Sequence, residues 1–222
     1  MHYNLGKLKD QIKPQHNIIY FRKGPTEMSI NITNRCPNSC CFCIRDKDSG
    51  WGVSNLYLVE DPSIHEIKEA INNAQTKGER KMVKKIKLCG YGEPILRVDI
   101  LPEIIKIIRE KYPHSIIQLT TTGWPLYHLP SGEDYFKKCV KTGLNQISLG
   151  LNALNKEDYQ KYVNPSVNSK ESFNQALDFI RLSKKLGLKV IISFVDFGSQ
   201  NINEIKEFSD KFKCEYNLRK LE

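Results

Sequence analysis

Residues 35–46 read RCPNSCCFCIRD, and this stretch places four cysteines close together: Cys36, Cys40, Cys41 and Cys43. Three of them follow the spacing C-x3-C-x2-C, and thiolates at such spacing suit zinc, copper(I) or iron-sulfur clusters. Structural zinc normally takes four protein ligands, and neither the other cysteines nor the histidines form a second pair at ligand spacing. The spacing leaves open a zinc site, an electron-transfer cluster, or a three-cysteine cluster with one open iron.

The segments before this loop have strand patterns. In TEMSINIT, residues 26–33, apolar and polar side chains alternate, which is typical of a strand with one buried face. NIIYF, residues 17–21, reads as a short strand, and RKGPT between the two contains Gly-Pro turn residues. We therefore predict an N-terminal β-hairpin, with the cysteine loop directly after its second strand.

Strands and helices alternate along the rest of the chain. Strand patterns recur at residues 84–90, 115–123, 145–152, 188–195 and 214–221, and helical patterns occupy residues 61–76, 101–112, 133–143, 172–186 and 202–212. This repetition predicts an α/β fold with parallel strands, either an open doubly wound sheet or a partial barrel. We assign residues 1–17 to an N-terminal extension and residues 18–222 to one domain.

Polar side chains repeat at alternate positions of three predicted strands. They are Ser29, Asn31 and Thr33, then Gln118, Thr120 and Thr122, and finally Ser148 and Asn152. Strands that are buried on both faces are usually continuous apolar runs. The repetition favours a partial (β/α)6 TIM-like barrel whose concave face holds a polar ligand.

The composition is that of an ordinary globular chain with excess positive charge. Of the 222 residues, 40% are hydrophobic and 27% are charged, which argues against disorder. The net charge of +9 comes largely from dispersed lysines, and we attribute it to solvated helix faces in preference to a nucleic-acid surface. Clustered cysteines without a signal peptide or membrane span predict a cytoplasmic protein with metal or redox chemistry and no membrane contact.

Three motifs, which follow one another along the chain, resemble motifs of the radical S-adenosylmethionine (SAM) superfamily. NITNRCPNSCCFCIRD, residues 31–46, resembles its cluster loop, with Phe42 as the aromatic residue before the third cysteine. CGYGEP, residues 89–94, is similar to its Gly-Gly-Glu-Pro segment, and ISLGLN, residues 147–152, resembles the segment that contacts the SAM ribose. With SLGLNALNKEDY, residues 148–159, the chain is most similar to the small TatD-associated radical SAM proteins.

The resemblance implies a [4Fe-4S] cluster on Cys36, Cys40 and Cys43, with S-adenosylmethionine on the fourth iron. Reduction would cleave SAM to methionine and a 5′-deoxyadenosyl radical that abstracts hydrogen from an unidentified substrate. Glu93 would lie near the methionyl group of SAM, and glycine would let a ligand approach the backbone closely. The implied SAM-binding residues are Phe42, Gly90, Tyr91, Gly92, Glu93, Thr120, Thr122, Ser148 and Asn152.

Several residues receive other assignments. We interpret Cys41 as a non-ligand, and Cys89, Cys139 and Cys214 as small buried side chains. The connection at residues 44–60 is expected to cover the cluster or to contribute to the substrate pocket, and the alternative is a surface loop with one packed tryptophan. Four side chains are candidates to face the lumen and complete the reaction: Arg45, Gln118, Asp196 and Arg219.

Alternatives remain open for the activity. The short chain is also similar to 7-carboxy-7-deazaguanine synthases and glycyl-radical activating enzymes, although the residues after Cys43 match neither closely. A non-catalytic iron-sulfur or zinc protein is the alternative of another class. If the protein is a radical SAM enzyme, we expect a small-molecule or nucleotide-related substrate and an electron donor such as flavodoxin or ferredoxin. We also expect a functional association with a TatD-type nuclease, and a monomer or weak dimer in solution.

Overall fold

The strands follow one another across a single sheet in chain order. The computed structural model describes residues 18–21, 24–46, 56–76, 83–198 and 201–221, and these residues form one seven-stranded sheet. β1 (Ile19–Phe21) and β2 (Glu27–Ile30) are antiparallel and make the predicted hairpin. The strands parallel to β2 are β3 (Lys85–Leu88), β4 (Ile116–Thr121), β5 (Gln146–Gly150), β6 (Lys189–Asp196) and β7 (Glu215–Lys220).

This order distinguishes the two candidate architectures. A doubly wound sheet reverses its strand order at a switch point. Here each strand from β2 to β7 lies beside the strand that precedes it in the chain, as in the wall of a (β/α) barrel. The prediction of a partial (β/α)6 TIM-like barrel with parallel strands and an N-terminal β-hairpin is confirmed.

Helices connect the parallel strands, and all but α4 lie at the predicted places. They are α1 (Ile64–Thr76), α2 (Leu101–Lys111), α3 (Gly132–Lys141), α4 (Lys156–Tyr162), α5 (Ser169–Lys185) and α6 (Ile202–Lys211), with short 3-10 turns at Ile44–Asp46, Pro94–Leu96 and Trp124–His128. A capping box begins α1: the Ser63 hydroxyl accepts from Glu66 N, and the Glu66 carboxylate accepts from Ser63 N. Among the helices of the described ranges, none has the length and apolar character that a bilayer span requires.

Local capping explains two differences from the predicted elements. The sequence pattern does not predict α4, because its seven mostly polar residues lack an apolar stripe; Asn155 caps it by accepting from Asp158 N at 2.8 Å. α5 begins at Ser169, earlier than residue 172, because the Asn168 side chain accepts from Lys170 N at 3.0 Å. In addition, β2 ends at Ile30, and the chain reaches the cysteine loop without further strand pairing.

The two faces of the sheet differ in composition. The face that packs against the helices carries buried apolar side chains that are neighbours in the strand register: Ile30, Leu88, Leu119 and Ile147. The opposite face carries polar side chains at one level across four strands: Ser29, Lys87, Gln118 and Gln146. Thr120 and Ser148 pair at the next level. Register partners point to the same face of a sheet, so the polar side chains on these strands do share one face.

A buried arginine joins the end of β2 to the chain before α1. The Arg97 side chain is 4% exposed, and its guanidinium donates to Ile32 O and to Pro62 O. Asp99 lies 2.9 Å from the guanidinium and neutralises it. Because the arginine satisfies carbonyls from two separate segments, it holds the start of the cysteine loop in place.

Gly92 lies where a side chain would strike the backbone of the cysteine loop. A Cβ there would be 2.4 Å from Thr33 O and 2.6 Å from Arg35 O. Gly92→Ala therefore forces the loop away from β3, and we expect it to lower the free energy of unfolding by about 1–3 kcal/mol in urea denaturation. Gly150→Ala is the matched control, since a Cβ there meets its nearest neighbour at 3.5 Å. Equal destabilisation by the two substitutions would contradict this account.

Candidate active site

The cysteine loop is held at both of its sides. On one side, Glu93 N donates to Arg35 O at 2.8 Å, which joins the loop to the turn after β3. On the other side, Ser39 N donates to Asn164 O at 3.0 Å, just beyond the end of α4. The unpredicted helix α4 is therefore part of the support for the loop.

Three thiols of the loop influence one another. Cys36, Cys40 and Cys43 are half-buried, whereas Cys41 is exposed. Burial, with the Glu93 carboxylate as the next cause, raises the pKa of Cys36 to about 11. Burial also raises the pKa of Cys40, and the charges of Cys36 and Cys43 raise it further. Because metal binding requires deprotonated sulfur, a metal bound at this loop would favour the thiolate forms instead.

The donor set fits a cluster better than a single ion. A structural zinc site normally takes four protein ligands, whereas the cysteine loop offers three at ligand spacing. In a cubane cluster each thiolate binds a different iron, so the ligands stand farther apart than they do around one ion. Three soft sulfurs in one loop suit a [4Fe-4S] cluster, in which each of them would bind one iron.

The other cysteines are placed as expected, with one exception. Cys139 is fully buried. Cys89 is also buried, and its sulfur lies 3.2 Å from the Tyr20 hydroxyl, so it is a hydrogen-bonding group as well as a small apolar one. The prediction for Cys214 is confirmed only in part: it packs against the core but is half-buried, directly before the edge strand β7, and its thiol donates to Phe212 O.

Glu93 lies beside the cysteine loop and is hydrogen-bonded to Thr122. The Glu93 side chain is 3% exposed, and one carboxylate oxygen accepts from Thr122 N at 2.8 Å and from the Thr122 hydroxyl at 2.9 Å. Burial raises the pKa of this carboxyl, and the hydrogen bonds from Thr122 act in the opposite direction. The Thr122 hydroxyl and Cys36 Sγ both lie against the Asn38 side-chain nitrogen, at 3.2 and 3.7 Å, so two residues implied to bind SAM lie beside a proposed cluster ligand.

The glycines of GYGEP make room for the protein itself. A Cβ on Gly90 would lie 2.0 Å from the Asn31 side-chain oxygen, and one on Gly92 would strike the backbone of the loop. Tyr91 between them is buried. The space left by the missing side chains is therefore occupied by the chain before Cys36, a use that the sequence motif does not reveal. Contact of their backbone groups with SAM stays a prediction.

Asn38 is a residue of the site that sequence reasoning misses. Its side-chain nitrogen lies 3.2 Å from the Thr122 hydroxyl and 3.7 Å from Cys36 Sγ, and its oxygen accepts from Trp124 Nε1 at 3.0 Å. The Asn38 side chain therefore connects the cysteine loop to the residues that follow β4. Its partner Thr122 is 84 positions away in the sequence, and no local pattern indicates such a contact.

Thr120, Ser148 and Asn152 line the polar side of the sheet near its end. Thr120 and Ser148 are register partners on β4 and β5. Asn152 has a positive φ of 58°, which asparagine tolerates better than most residues. Its buried side-chain oxygen has no hydrogen-bond partner in the described part of the protein. An orphaned buried acceptor is costly unless a ligand satisfies it, and this fits the predicted contact with a ribose hydroxyl.

Tyr159 is a second residue that sequence reasoning misses, although it is the last residue of the motif SLGLNALNKEDY at residues 148–159. It lies on α4, it is fully buried, and its hydroxyl has no hydrogen-bond partner in the described part of the protein. Burial raises its pKa well above the usual value, and the charges of Cys40 and Glu93 add to this effect. An unpartnered hydroxyl is therefore buried on the helix whose end supports the cysteine loop.

Aromatic rings pack beside the third cysteine. The Phe42 ring lies 5.6 Å from that of Phe197, and Phe197 stacks on Tyr162 with ring centroids 4.3 Å apart. Phe197 directly follows β6, so these contacts join the loop, the end of α4 and the end of β6. The sequence motif identifies Phe42 but not its ring partners.

The lumen candidates separate into two groups. Gln118 lies on the polar face, and Arg219 shares it, since Arg219 Nε donates to Ser193 Oγ at 3.1 Å. Asp196 is three positions from Ser193 on β6 and so points to the other face, where it accepts from Gly198 N at 2.8 Å. The expectation that Asp196 faces the lumen is therefore wrong. In the connection at residues 44–60, positions 47–55 lie outside the described residues, and its role stays a prediction.

Comparison with known proteins identifies the family. A model of the radical SAM superfamily matches residues 30–212. A GTP 3′,8-cyclase of Aquifex aeolicus is 33% identical over 187 residues, covering 84% of this chain and 52% of that protein. Another from Aliarcobacter butzleri is 28% identical over 184 residues, covering 82% of this chain and 50% of that protein. The chain thus spans about half the length of these curated relatives.

Solved structures have the same fold. Methylornithine synthase superposes with a TM-score of 0.62 and 16% identity, covering 88% of this chain and 53% of that one. The protein anSMEcpe with bound AdoMet superposes with a TM-score of 0.61 and 14% identity, covering 87% of this chain and 52% of that one. At these identities the likeness concerns the fold alone. From the family match and the cyclase relatives, the chain belongs to the radical SAM superfamily, whose members bind a [4Fe-4S] cluster and S-adenosylmethionine.

Proposed function

We propose that this protein is a radical SAM enzyme whose cluster is held by Cys36, Cys40 and Cys43. The observation that carries the proposal is a loop of the superfamily's cysteine spacing in which Cys36 is linked to the buried Glu93 carboxylate through Asn38 and Thr122. When bound, the reduced cluster and SAM supply an electron and a 5′-deoxyadenosyl radical that abstracts a hydrogen atom from the substrate.

The residues of the chain bind, orient and shield these groups. The three thiolates would hold three irons and leave the fourth for SAM. Glu93, fixed by Thr122, would accept hydrogen bonds from the SAM ammonium group. Asn152, whose oxygen lacks a partner among the described residues, would receive a ribose hydroxyl.

The remaining proposed SAM contacts lie around these groups. Gly90, Tyr91 and Gly92 would contribute backbone groups at the turn after β3, and Thr120 and Ser148 would contribute hydroxyls from the polar face. Phe42 would shield the cluster from water together with the ring of Phe197, as the aromatic cluster beside the loop suggests.

The substrate class that we propose is a nucleotide-related small molecule. It is supported by the name of the relatives, GTP 3′,8-cyclase, and by a polar sheet face suited to a polar ligand. Since the chain matches only about half of those relatives, their reaction is not transferred to it. No contact among the described residues favours the 7-carboxy-7-deazaguanine synthase or glycyl-radical activating alternatives over this one.

The proposed partners follow from the chemistry. One-electron reduction of the cluster requires a donor, and flavodoxin or ferredoxin is the kind that we propose. Free thiols and an iron-sulfur cluster suit a reducing, anaerobic cytoplasm. We further propose a functional association with a TatD-type nuclease, a monomer or weak dimer in solution, and a catalytic domain at residues 18–222 preceded by an extension at residues 1–17.

The decisive test is SAM cleavage by the reconstituted protein. After anaerobic loading with iron and sulfide, addition of dithionite and SAM is expected to yield 5′-deoxyadenosine, measured by liquid chromatography and mass spectrometry. The control is the variant in which Cys36, Cys40 and Cys43 are all alanine, which is expected to form none. If the native protein binds iron but forms no 5′-deoxyadenosine even as an uncoupled product, the proposed activity is wrong.

The adjacent cysteines Cys40 and Cys41 provide a matched pair for the ligand assignment. Cys40→Ala is expected to abolish stable loading of the cluster, because one iron loses its thiolate. Cys41→Ala is expected to retain about four irons per chain, because its exposed side chain is not a ligand. Iron and labile sulfide analysis measures both. Loss of iron in Cys41→Ala with retention in Cys40→Ala would reverse the assignment.

Substitution of Glu93 tests the proposed ammonium contact. Glu93→Gln keeps the size of the side chain but removes its charge, and a hydrogen bond to a charged group contributes about 1.5–3 kcal/mol. We expect the Kd for SAM to rise about tenfold or more, measured by calorimetry on protein with its full iron content. Glu103→Gln, at an exposed position on α2, is the control and should leave the Kd unchanged. An unchanged Kd in Glu93→Gln would exclude the contact.

A further inference from the structure

Arg45 is fixed against the sulfur of a proposed cluster ligand. Its Nε donates to Cys43 Sγ at 3.2 Å. Its two terminal nitrogens donate to Asn34 O at 3.1 Å and to Asn38 O at 3.3 Å. Sequence reasoning treats Arg45 as a candidate for the lumen, but the structure holds its guanidinium within the cysteine loop.

The position of these carbonyls determines what the arginine can do. Asn34 and Asn38 lie on either side of Cys36 in the chain, and Cys43 is the ligand nearest to Arg45 in sequence. One planar guanidinium therefore joins the start of the cysteine loop, at Asn34 and Asn38, to its third cysteine, Cys43. Arginine presents its donors in a rigid fork, whereas lysine has one flexible ammonium, so the contact depends on arginine specifically.

Arg45 also opposes the negative charge of the site. The Glu93 carboxylate and the neighbouring thiolates disfavour further negative charge, and the Arg45 guanidinium places a positive charge against Cys43 Sγ and between the carbonyls on either side of Cys36. Arg35, in the same loop, is directed elsewhere: its side chain is 61% exposed, and its Nε lies 2.6 Å from Asp61 Oδ2. The two arginines of the loop thus have different surroundings.

We infer that Arg45 is a positioning residue that fixes Cys43 Sγ and raises the reduction potential of the [4Fe-4S] cluster. The inference rests on the proposed function, because it requires the cluster to be held by this loop. Reduction adds an electron to the cluster and its thiolates, with no proton or bond exchanged. Hydrogen bonds to the ligand sulfurs and nearby positive charge stabilise the added negative charge, and so favour the reduced form.

The consequence for the enzyme concerns its electron donor. A cluster at higher potential accepts an electron from a weaker reductant. Glu93 is buried, and it is linked to Cys36 Sγ through the side chains of Thr122 and Asn38. The local negative charge by itself would therefore make reduction harder. Arg45 offsets part of this effect, so that a flavodoxin- or ferredoxin-type donor can reduce the cluster.

The test is a redox titration of reconstituted, SAM-free protein followed by electron paramagnetic resonance. Arg45→Gln is expected to lower the ratio of reduced to oxidised cluster about tenfold at a fixed potential, which is a drop of about 59 mV in the midpoint of a one-electron couple. Arg45→Lys keeps the positive charge but lacks the planar guanidinium, so its midpoint potential should fall by less. Arg35→Gln is the control and should titrate like the native protein, because its exposed ion pair contributes little.

The possible outcomes separate this inference from the proposed function. If the native protein loads no cluster, the proposed function fails, and the inference fails with it. If the native protein and both Arg45 variants load the cluster and share one midpoint potential, the inference alone is overturned. It is also overturned if neither Arg45 variant loads a cluster while Arg35→Gln does, because Arg45 would then support only the fold of the loop.

Discussion

The close approach of the cysteine loop to the turn after β3 is the contact on which the rest of the site depends. The backbone of residues 33–35 packs against Gly92, where no side chain intervenes, and Glu93 N reaches Arg35 O at 2.8 Å. Since Cys36 directly follows Arg35, the same contact brings its thiol close to the Glu93 carboxylate. A larger residue at position 92 would move the sulfurs away from the strand end that supports the proposed SAM contacts.

The electrostatic character of the site follows from this packing. Glu93 is buried, and its charge is partly satisfied by Thr122. Thiolates beside it add negative charge in a region of low dielectric, which is costly without compensation. An iron cluster would provide most of that compensation, and Arg45 provides the part that the chain itself controls. Packing, burial and charge therefore all favour a cationic metal group at the loop.

Sequence reasoning succeeds here where the signal is local. The ends of β3 and β4 lie within two residues of their predicted positions, because alternation and flanking turn residues specify strands over short windows. Reasoning from periodicity fails for α4, whose polar sequence has no apolar stripe. It also cannot find Asn38 or Tyr159, because their roles depend on elements that are distant in the sequence.

The amino-acid sequence by itself determined the order of strands and helices, the three spaced cysteines and the turn motif at GYGEP, since each depends on residues adjacent in the chain. Only the tertiary structure decided that Glu93 lies beside Cys36, that Asn38 joins the loop to Thr122, and that Arg45 rather than Arg35 faces a sulfur. The physical reason is that parallel strands bring together segments far apart in the sequence, and side-chain contacts between such segments leave no periodic trace along the chain.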